Sequence, residues 1–336
     1  MITVVIPTVG RQTLRSTLAA VGAGLPVIVV DDRPAGDALA GLPEHVRVVR
    51  SGGRGPAAAR NAGWRAADTP WVAFLDDDVV PMAGWAEAVW KDLVDLPGDV
   101  AGSQGRIVVP PPAGRAPTDA ERHTAGLASA LWVTADMAYR RSALESLGGF
   151  DERFPRAYRE DADLALRARR AGHRLVRGRR VTEHPVRQDG FWASVRFQRG
   201  NADDALMRRL HGPGWRADIG GVPGRLRLHA LTTAAGLAAV VLALTAGASR
   251  ARGGGLPLSG SPGQARPAGG SPGRGTAVAA GLLAGVWGVS TGEFAWRRIA
   301  PGPRTAGEVA RMVVTSAVIP PVACAHRLWG EWRARR

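Results

Sequence analysis

The first hundred residues alternate short apolar runs with helix-patterned stretches, and this alternation restricts the fold more than any other feature. Thr3–Ile6, Val27–Val30, Val46–Val49 and Trp71–Leu75 are β-branched or aromatic runs. Between and after them lie Gln12–Val21, with Leu14 and Leu18 on one face, the alanine-rich Ala57–Ala67, and Trp85–Leu93. Apolar strands that alternate with helices predict an α/β domain whose parallel sheet is covered on both faces. Three of the runs stop at polar residues: Pro7-Thr8, Asp31-Asp32 and Asp76-Asp77-Asp78. Open parallel sheets bind ligands outside the carboxyl ends of their strands. The acids are therefore expected at the edge where such a sheet holds its ligand.

Three adjacent carboxylates repel one another. One reading is a solvated turn that caps the helix beginning near Pro81. Their attachment to an apolar strand, and the company of Asp31 and Asp32, point instead to a cation. Oxygen ligands select Mg²⁺ or Mn²⁺, which completes its shell with water and phosphate. Asp76 and Asp78 fall on one side of an extended segment and are the pair expected to share the ion. A second acidic group, Glu160, Asp161 and Asp163, heads a helix over 162–171. It can be a dipole-favoured first turn or part of a cleft, and spacing does not choose among the three.

The charge is uneven. The chain of 336 residues carries +15 overall, and Lys91 is its one lysine. Residues 226–336 hold 13 arginines against Glu293, Glu308 and Glu331. Arginine-punctuated apolar segments suggest a membrane surface rather than nucleic acid. Leu228–Ala248 and Gly275–Trp296 have the roughly 20 apolar residues that a span needs. Residues 249–274, rich in Gly, Pro, Ser and Arg, are expected as a disordered loop. Residues 309–325, broken by Pro320-Pro321, are expected to be interfacial. A two-span hairpin returns the end of the chain to the cytoplasmic side. Cys324 is alone, which excludes an intrachain disulfide and a cysteine metal cluster. The opening M-I-T-V-V-I-P-T reads as a strand rather than a signal peptide, so the first domain is expected to stay cytoplasmic.

Six stretches then occur in order: V-V-I-P-T (4–8), V-V-D-D (29–32), A-R-N-A-G (59–63), F-L-D-D-D (74–78), G-G-F-D-E-R-F (148–154) and R-E-D-A-D-L-A-L-R (159–167). Together they resemble family 2 glycosyltransferases, the inverting nucleotide-sugar enzymes with the GT-A fold, over about residues 1–205. The resemblance implies a catalytic domain over 1–215; the tail lies outside it, and its apolar runs give a membrane-associated region over 216–336. It implies metal-dependent transfer of one sugar from a nucleotide-sugar donor to a hydroxyl acceptor such as a glycan; the tail alone suggests a lipid-linked acceptor, at the cell membrane and toward a cell-envelope polysaccharide. Asp161 is implied as the catalytic base. Pro7, Thr8, Asp31, Asp32, Asp76 and Asp77 are implied on the donor. Asp76-x-Asp78 is implied as the D-x-D metal motif, with His184 as a further Mg²⁺ or Mn²⁺ ligand.

Two departures stand out. Arg33-Pro34 replaces the small pair usual after V-D-D, and Gln188–Trp192 lacks the arginine of the Q-x-x-R-W signature of processive members, so single sugar addition is expected. Rival readings are a sugar-phosphate nucleotidylyltransferase, a dinucleotide-binding dehydrogenase built on Gly53-Arg54-Gly55-Pro56-Ala57-Ala58, and a non-catalytic membrane-bound nucleotide-sugar-binding protein. A P-loop is excluded, because no G-K-[ST] exists. Trp64, Trp71, Trp85 and Trp90 are expected in the core, and Trp132, Tyr139, Phe191 and Trp192 in the region of the acceptor.

Overall fold

The computed structural model describes residues 1–186, 190–253 and 272–335. The chain divides into two compact units. One comprises Met1–Gly190, Ala202–Pro223 and Gly330–Arg336, the other Phe191–Asn201 and Gly224–Trp329.

The first unit runs β1 (Ile2–Thr8), α1 (Thr13–Val21), β2 (Val27–Asp31), β3 (Val46–Arg50), α2 (Pro56–Arg65), β4 (Trp71–Leu75), β5 (Val80–Pro81), α3 (Trp85–Leu93) and β6 (Val100–Val108). It continues with α4 (Asp119–Ala125), β7 (Asp136–Arg140), α5 (Arg141–Leu147), α6 (Glu160–Arg170) and β8 (Arg174–Glu183). Helix α7 (Ala193–Arg196) belongs to the second unit, and α8 (Gly200–His211) and α9 (Trp215–Asp218) follow it in the chain.

The eight strands form one sheet in the order β3-β2-β1-β4-β7-β6-β8-β5. Strands β3, β2, β1 and β4 are mutually parallel, as expected. The other half departs from the expectation: β7 runs antiparallel to β4 and β6, and β5 antiparallel to β8, while β6 and β8 are parallel. The sheet is therefore mixed. The reason is visible in the strands themselves. Asp136, Ser103 and Gln104 are buried in β7 and β6, so these strands lack the continuous apolar pattern that marks a parallel sheet. Arg180 of β8 donates to Asp136 at 2.6 Å and to the Ser103 carbonyl at 2.6 Å, while Gln104 donates to the Ala130 carbonyl at 3.0 Å.

Strand residues alternate between two core layers. On one face Val4, Ile6, Val27, Val29, Ala73 and Leu75 meet Leu14, Leu18 and Val21 of α1 and Trp85, Val89 and Leu93 of α3. On the other, Val5, Ile28, Val30, Val72 and Phe74 meet Ala57, Ala59 and Trp64 of α2, Leu144 of α5 and Leu164 of α6. The burial of Trp64, Trp71 and Trp85 matches expectation. Trp90 does not: it is 52% exposed, because α3 turns only its 85–89–93 face to the sheet. Tyr139 is likewise no acceptor platform. Strand β7 carries it fully into the core.

The second unit is dominated by α10 (Leu226–Gly253), α11 (Pro272–Ile299) and α12 (Ala306–Ala334). Three stretches, Leu226–Ser249, Arg274–Ile299 and Ala306–Ala334, are long and apolar enough to cross a membrane. The expected break at Pro320-Pro321 is absent, since α12 runs through both prolines. A proline removes one helical hydrogen bond and crowds the preceding turn. Here packing holds the helix: Met312, Thr315, Ser316, Ile319 and Ala323 are all buried. Helices α10 and α11 extend into both ends of the expected loop over 249–274, and its remainder, 254–271, lies outside the described residues.

Candidate active site

Strand β4 ends at Leu75, and Asp76–Val79 turn into β5. The acids are thus not an extended segment, and the alternation that paired Asp76 with Asp78 does not carry through them. Each acid takes a different partner. Asp76 accepts from Arg60 Nη2 at 2.9 Å. Asp77 accepts from Thr8 Oγ1 at 2.6 Å and from Arg11 Nη1 at 2.7 Å. Asp78 lies 3.9 Å from Arg11 and 4.0 Å from His184 Nε2. Burial pushes the Asp77 carboxyl up, against the pull of Thr8 and Arg11.

Arg60 joins this turn to the second acidic group. It projects from α2, is buried, and donates Nη1 to Glu160 Oε1 at 2.6 Å. Its guanidinium lies 5.7 Å from the centroid of the Phe150 ring. Glu160 opens α6, and Asp161 is the next residue. Arg159, before them, adopts a left-handed backbone with φ of 80°, a conformation that costs energy in a non-glycine residue. It is held by Asp204 at 2.9 Å and by the rings of Tyr158 and Trp215. This clamp fixes the first turn of α6. Burial pushes the Glu160 and Asp161 carboxyls above their usual range, and the charge of Arg60 opposes it at both.

His184 follows β8, and its backbone N–H donates to Val108. Its Nδ1 lies 3.0 Å from the Pro185 carbonyl. A carbonyl only accepts, so Nδ1 is the donor in that contact, and Nε2 faces Asp78. Such backbone orientation of the remote nitrogen is typical of metal-binding histidines. The 4.0 Å gap between Nε2 and Asp78 Oδ1 is within the reach of two metal–ligand bonds of about 2.1 Å each. The Asp78 carboxylate suits Mg²⁺ or Mn²⁺, with phosphate and water completing the shell, and the imidazole is the softer ligand of the pair. Among the described residues, no group of three or more His, Cys, Asp or Glu side chains is assembled for a metal.

The residues implied for nucleotide binding are engaged within the protein. Asp31 holds Arg33 through two bonds of 2.8 Å, and the guanidinium keeps the Asp31 carboxyl below its usual range. Arg33, the departure noted in the sequence, is thus a partner of Asp31. Asp32 accepts from Ser51 Oγ at 2.7 Å and from the Gly55 N–H at 3.0 Å, which shapes the loop before α2. Thr8 accepts from the Gly10 N–H at 3.0 Å while donating to Asp77. Pro7 is half-buried beside it.

Two cations escaped the sequence reading, Arg60 and Arg11. A-R-N-A-G was singled out as a motif, but a contact between Arg60 and Glu160 is not visible from local spacing. Asn61 of the same motif donates to the Phe150 carbonyl at 2.8 Å and accepts from the Phe150 N–H at 2.9 Å. It pins the glycine-marked turn to α2. Phe191 and Trp192 are exposed and meet edge to face with centroids 5.1 Å apart. The comparison over Gln188–Trp192 rests partly on residues 187–189, which lie outside the described residues.

Residues 3–148 match the family described as Glycosyl transferase family 2. Two curated relatives, each named "Pre-mycofactocin glycosyltransferase" and from two Mycobacterium tuberculosis strains, are 35% identical over 190 residues. The match covers 52% of this chain, and the chain spans only 40% of the relatives' length. Among solved structures, glucosyl-3-phosphoglycerate synthase from Mycobacterium tuberculosis, with Mn²⁺, UDP-glucose and phosphoglyceric acid, matches at TM-score 0.44 and 18% identity. That match covers 63% of this chain and 80% of the other. S. aureus TarS with UDP-GlcNAc matches at TM-score 0.40 and 15% identity, over 64% and 69% of the two chains. Over residues 3–148, on the α/β sheet whose strand ends carry Asp32 and the Asp76–Asp78 turn, this chain matches glycosyl transferase family 2.

Proposed function

We propose that the first unit transfers one sugar from a nucleotide-sugar donor to a hydroxyl acceptor, with inversion at the anomeric carbon and with the help of Mg²⁺ or Mn²⁺. The observation that carries this reading is the bridge made by Arg60. One buried guanidinium binds Asp76 of the acidic turn and Glu160 beside Asp161, so a diphosphate-side group and a base belong to one electrostatic unit. The relatives' names support sugar transfer as the reaction class.

In this reading Asp78 and His184 hold the divalent ion, with Asp76 at its margin. When bound, the ion supplies positive charge against the negative charge of the departing diphosphate. Arg11, clamped by Asp77, adds a half-exposed cation on the same edge. Pro7 and Thr8 line the nucleotide side. Asp32 uses a remaining lone pair to accept from the base, and Asp31 keeps Arg33 aimed along that wall. Asp161 takes the proton from the acceptor hydroxyl as its oxygen attacks the anomeric carbon. The new C–O bond forms while the bond to the diphosphate oxygen breaks, so one displacement inverts the centre. Its raised pKa makes Asp161 a stronger base than an ordinary aspartate. The second unit anchors the enzyme in the cell membrane, with the catalytic unit on the cytoplasmic face. The acceptor is a glycan or a lipid-linked precursor of the cell envelope.

Asp161→Asn keeps the shape of the site and removes the base. Transfer should fall roughly 10²–10⁴-fold, while donor affinity, measured by calorimetry, stays near that of the unaltered enzyme. Undiminished transfer in this variant would remove Asp161 from the mechanism.

A further inference from the structure

We infer that Arg333, in the last turn of α12, is a positioning residue for the proposed base: it fixes α8, and through α8 the turn that presents Asp161. This rests on the glycosyl-transfer reading above. The chain from Gly330 onward belongs to the first unit. A Cβ at Gly330 would stand 2.5 Å from the Cα and from the carbonyl oxygen of Ala202, so α12 meets the backbone of α8 with no room for a methyl group. Ala334 packs against the cluster that holds Phe154, Leu166, Met207 and Trp215. Between these two contacts Arg333 donates Nη2 to the Arg153 carbonyl at 3.3 Å and lies 3.5 Å from Asp203 Oδ1. One guanidinium therefore ties the glycine-marked turn at 148–154 to α8.

Asp203 is where this contact takes effect. Its side chain is buried. Oδ2 accepts from Arg156 at 2.5 Å, whereas Oδ1 is buried without a hydrogen-bond partner. A buried charge needs a compensating one, and Arg333 stands at that oxygen. Asp204, the next residue, is also buried; it holds Arg159 at 2.9 Å through one oxygen and Arg216 through the other. Neighbouring residues of one helix move together, so a shift of Asp203 reaches Asp204 and then Arg159. Arg159 keeps its φ of 80° only while its surroundings impose it. When that hold loosens the backbone relaxes, and Asp161, two residues on, turns with it. Asp78 follows β4 and His184 follows β8, outside this series of contacts, so donor binding is left intact.

The test uses the full chain in detergent micelles with Mn²⁺ and whichever of UDP-glucose, UDP-GlcNAc and GDP-mannose titrates most tightly. It follows release of the nucleoside diphosphate as the sugar passes to water. A misplacement of about 1 Å can cost roughly 10²-fold in rate, so Arg333→Gln should lower kcat about tenfold or more while the donor KM stays within about twofold. Arg333→Lys, which keeps the charge beside Asp203, should bring kcat back toward that of the unaltered chain. Asp203→Asn should show the same split between kcat and KM. Adding Arg333→Gln to it should change kcat little, because residues that act through one contact are not additive. Full kcat in Arg333→Gln, a loss that falls on KM instead, no recovery with lysine, or independent losses in the double variant would each overturn the inference. Donor titration and Asp161→Asn separate the two failures. Absent donor binding, or a full rate in Asp161→Asn, sinks the transfer reading. Donor binding with an impaired Asp161→Asn and an unimpaired Arg333→Gln sinks only the role of Arg333.

Discussion

Arg60 is 1% exposed, with one guanidinium nitrogen on Glu160 and another on Asp76. Removing a buried partner of two carboxylates leaves them uncompensated, a change that typically costs about 3–5 kcal/mol. Its effect on chemistry has a definite sign. Burial and Asp76 raise the Asp161 pKa, while Arg60, Arg159 and the Ala162 N–H lower it. In the proposed mechanism Asp161 works deprotonated, so activity is expected to fall as pH drops through that raised pKa. The acid limb of kcat/KM should therefore lie above the usual aspartate range. Arg60→Met should move it further up, and a limb that stays in place would show that Arg60 does not act on the base. The individual acids were legible in the sequence, since they end strands or open a helix. Their partners were not. Arg60, Arg11 and the clamp on Arg159 depend on contacts across the fold, and A-R-N-A-G says nothing by itself about where its arginine points.

At the scale of elements, α2 connects the site to the core, and Gly63 sets how closely it packs. A Cβ there would stand 2.3 Å from Val5 Cγ1 and 2.9 Å from Val30 Cγ2, so the helix rests on β1 and β2 with no space for a methyl group. Gly63→Ala gains up to about 1 kcal/mol of helix propensity, but overpacking typically costs about 1–3 kcal/mol. The expected net result is a lower melting temperature of the full chain in a thermal scan; a higher one would mean that the sheet yields. The parallel half of the sheet was legible because β1, β2 and β4 carry unbroken apolar runs at Val4–Ile6, Val27–Val30 and Trp71–Leu75. The mixed half was not, because Asp136 and Ser103 are satisfied by Arg180 and Gln104 by Ala130 and Trp132, partners far away in sequence. Likewise the acids turn at Leu75, and strand periodicity gives no warning of where a strand stops.

Across the whole molecule, a unit that matches glycosyl transferase family 2 over residues 3–148 is followed by helices with the length and composition of membrane spans. Two of the three were readable from apolar runs. The third was masked by Pro320-Pro321, whose disruptive effect is outweighed by packing around Ser316 and Ile319. The full chain should resist extraction by alkaline carbonate, as an integral protein does; release into the supernatant would assign the helices to surface attachment. The account as a whole depends on the acidic edge serving a nucleotide sugar through a divalent ion. Calorimetric titration of UDP- and GDP-sugars into the full chain, with and without Mn²⁺, tests this most directly when repeated on Asp78→Ala. The prediction is binding that requires Mn²⁺ in the unaltered protein and is lost in the variant. Equal affinity with and without the metal, or an Asp78→Ala titration that matches the unaltered protein, would contradict it.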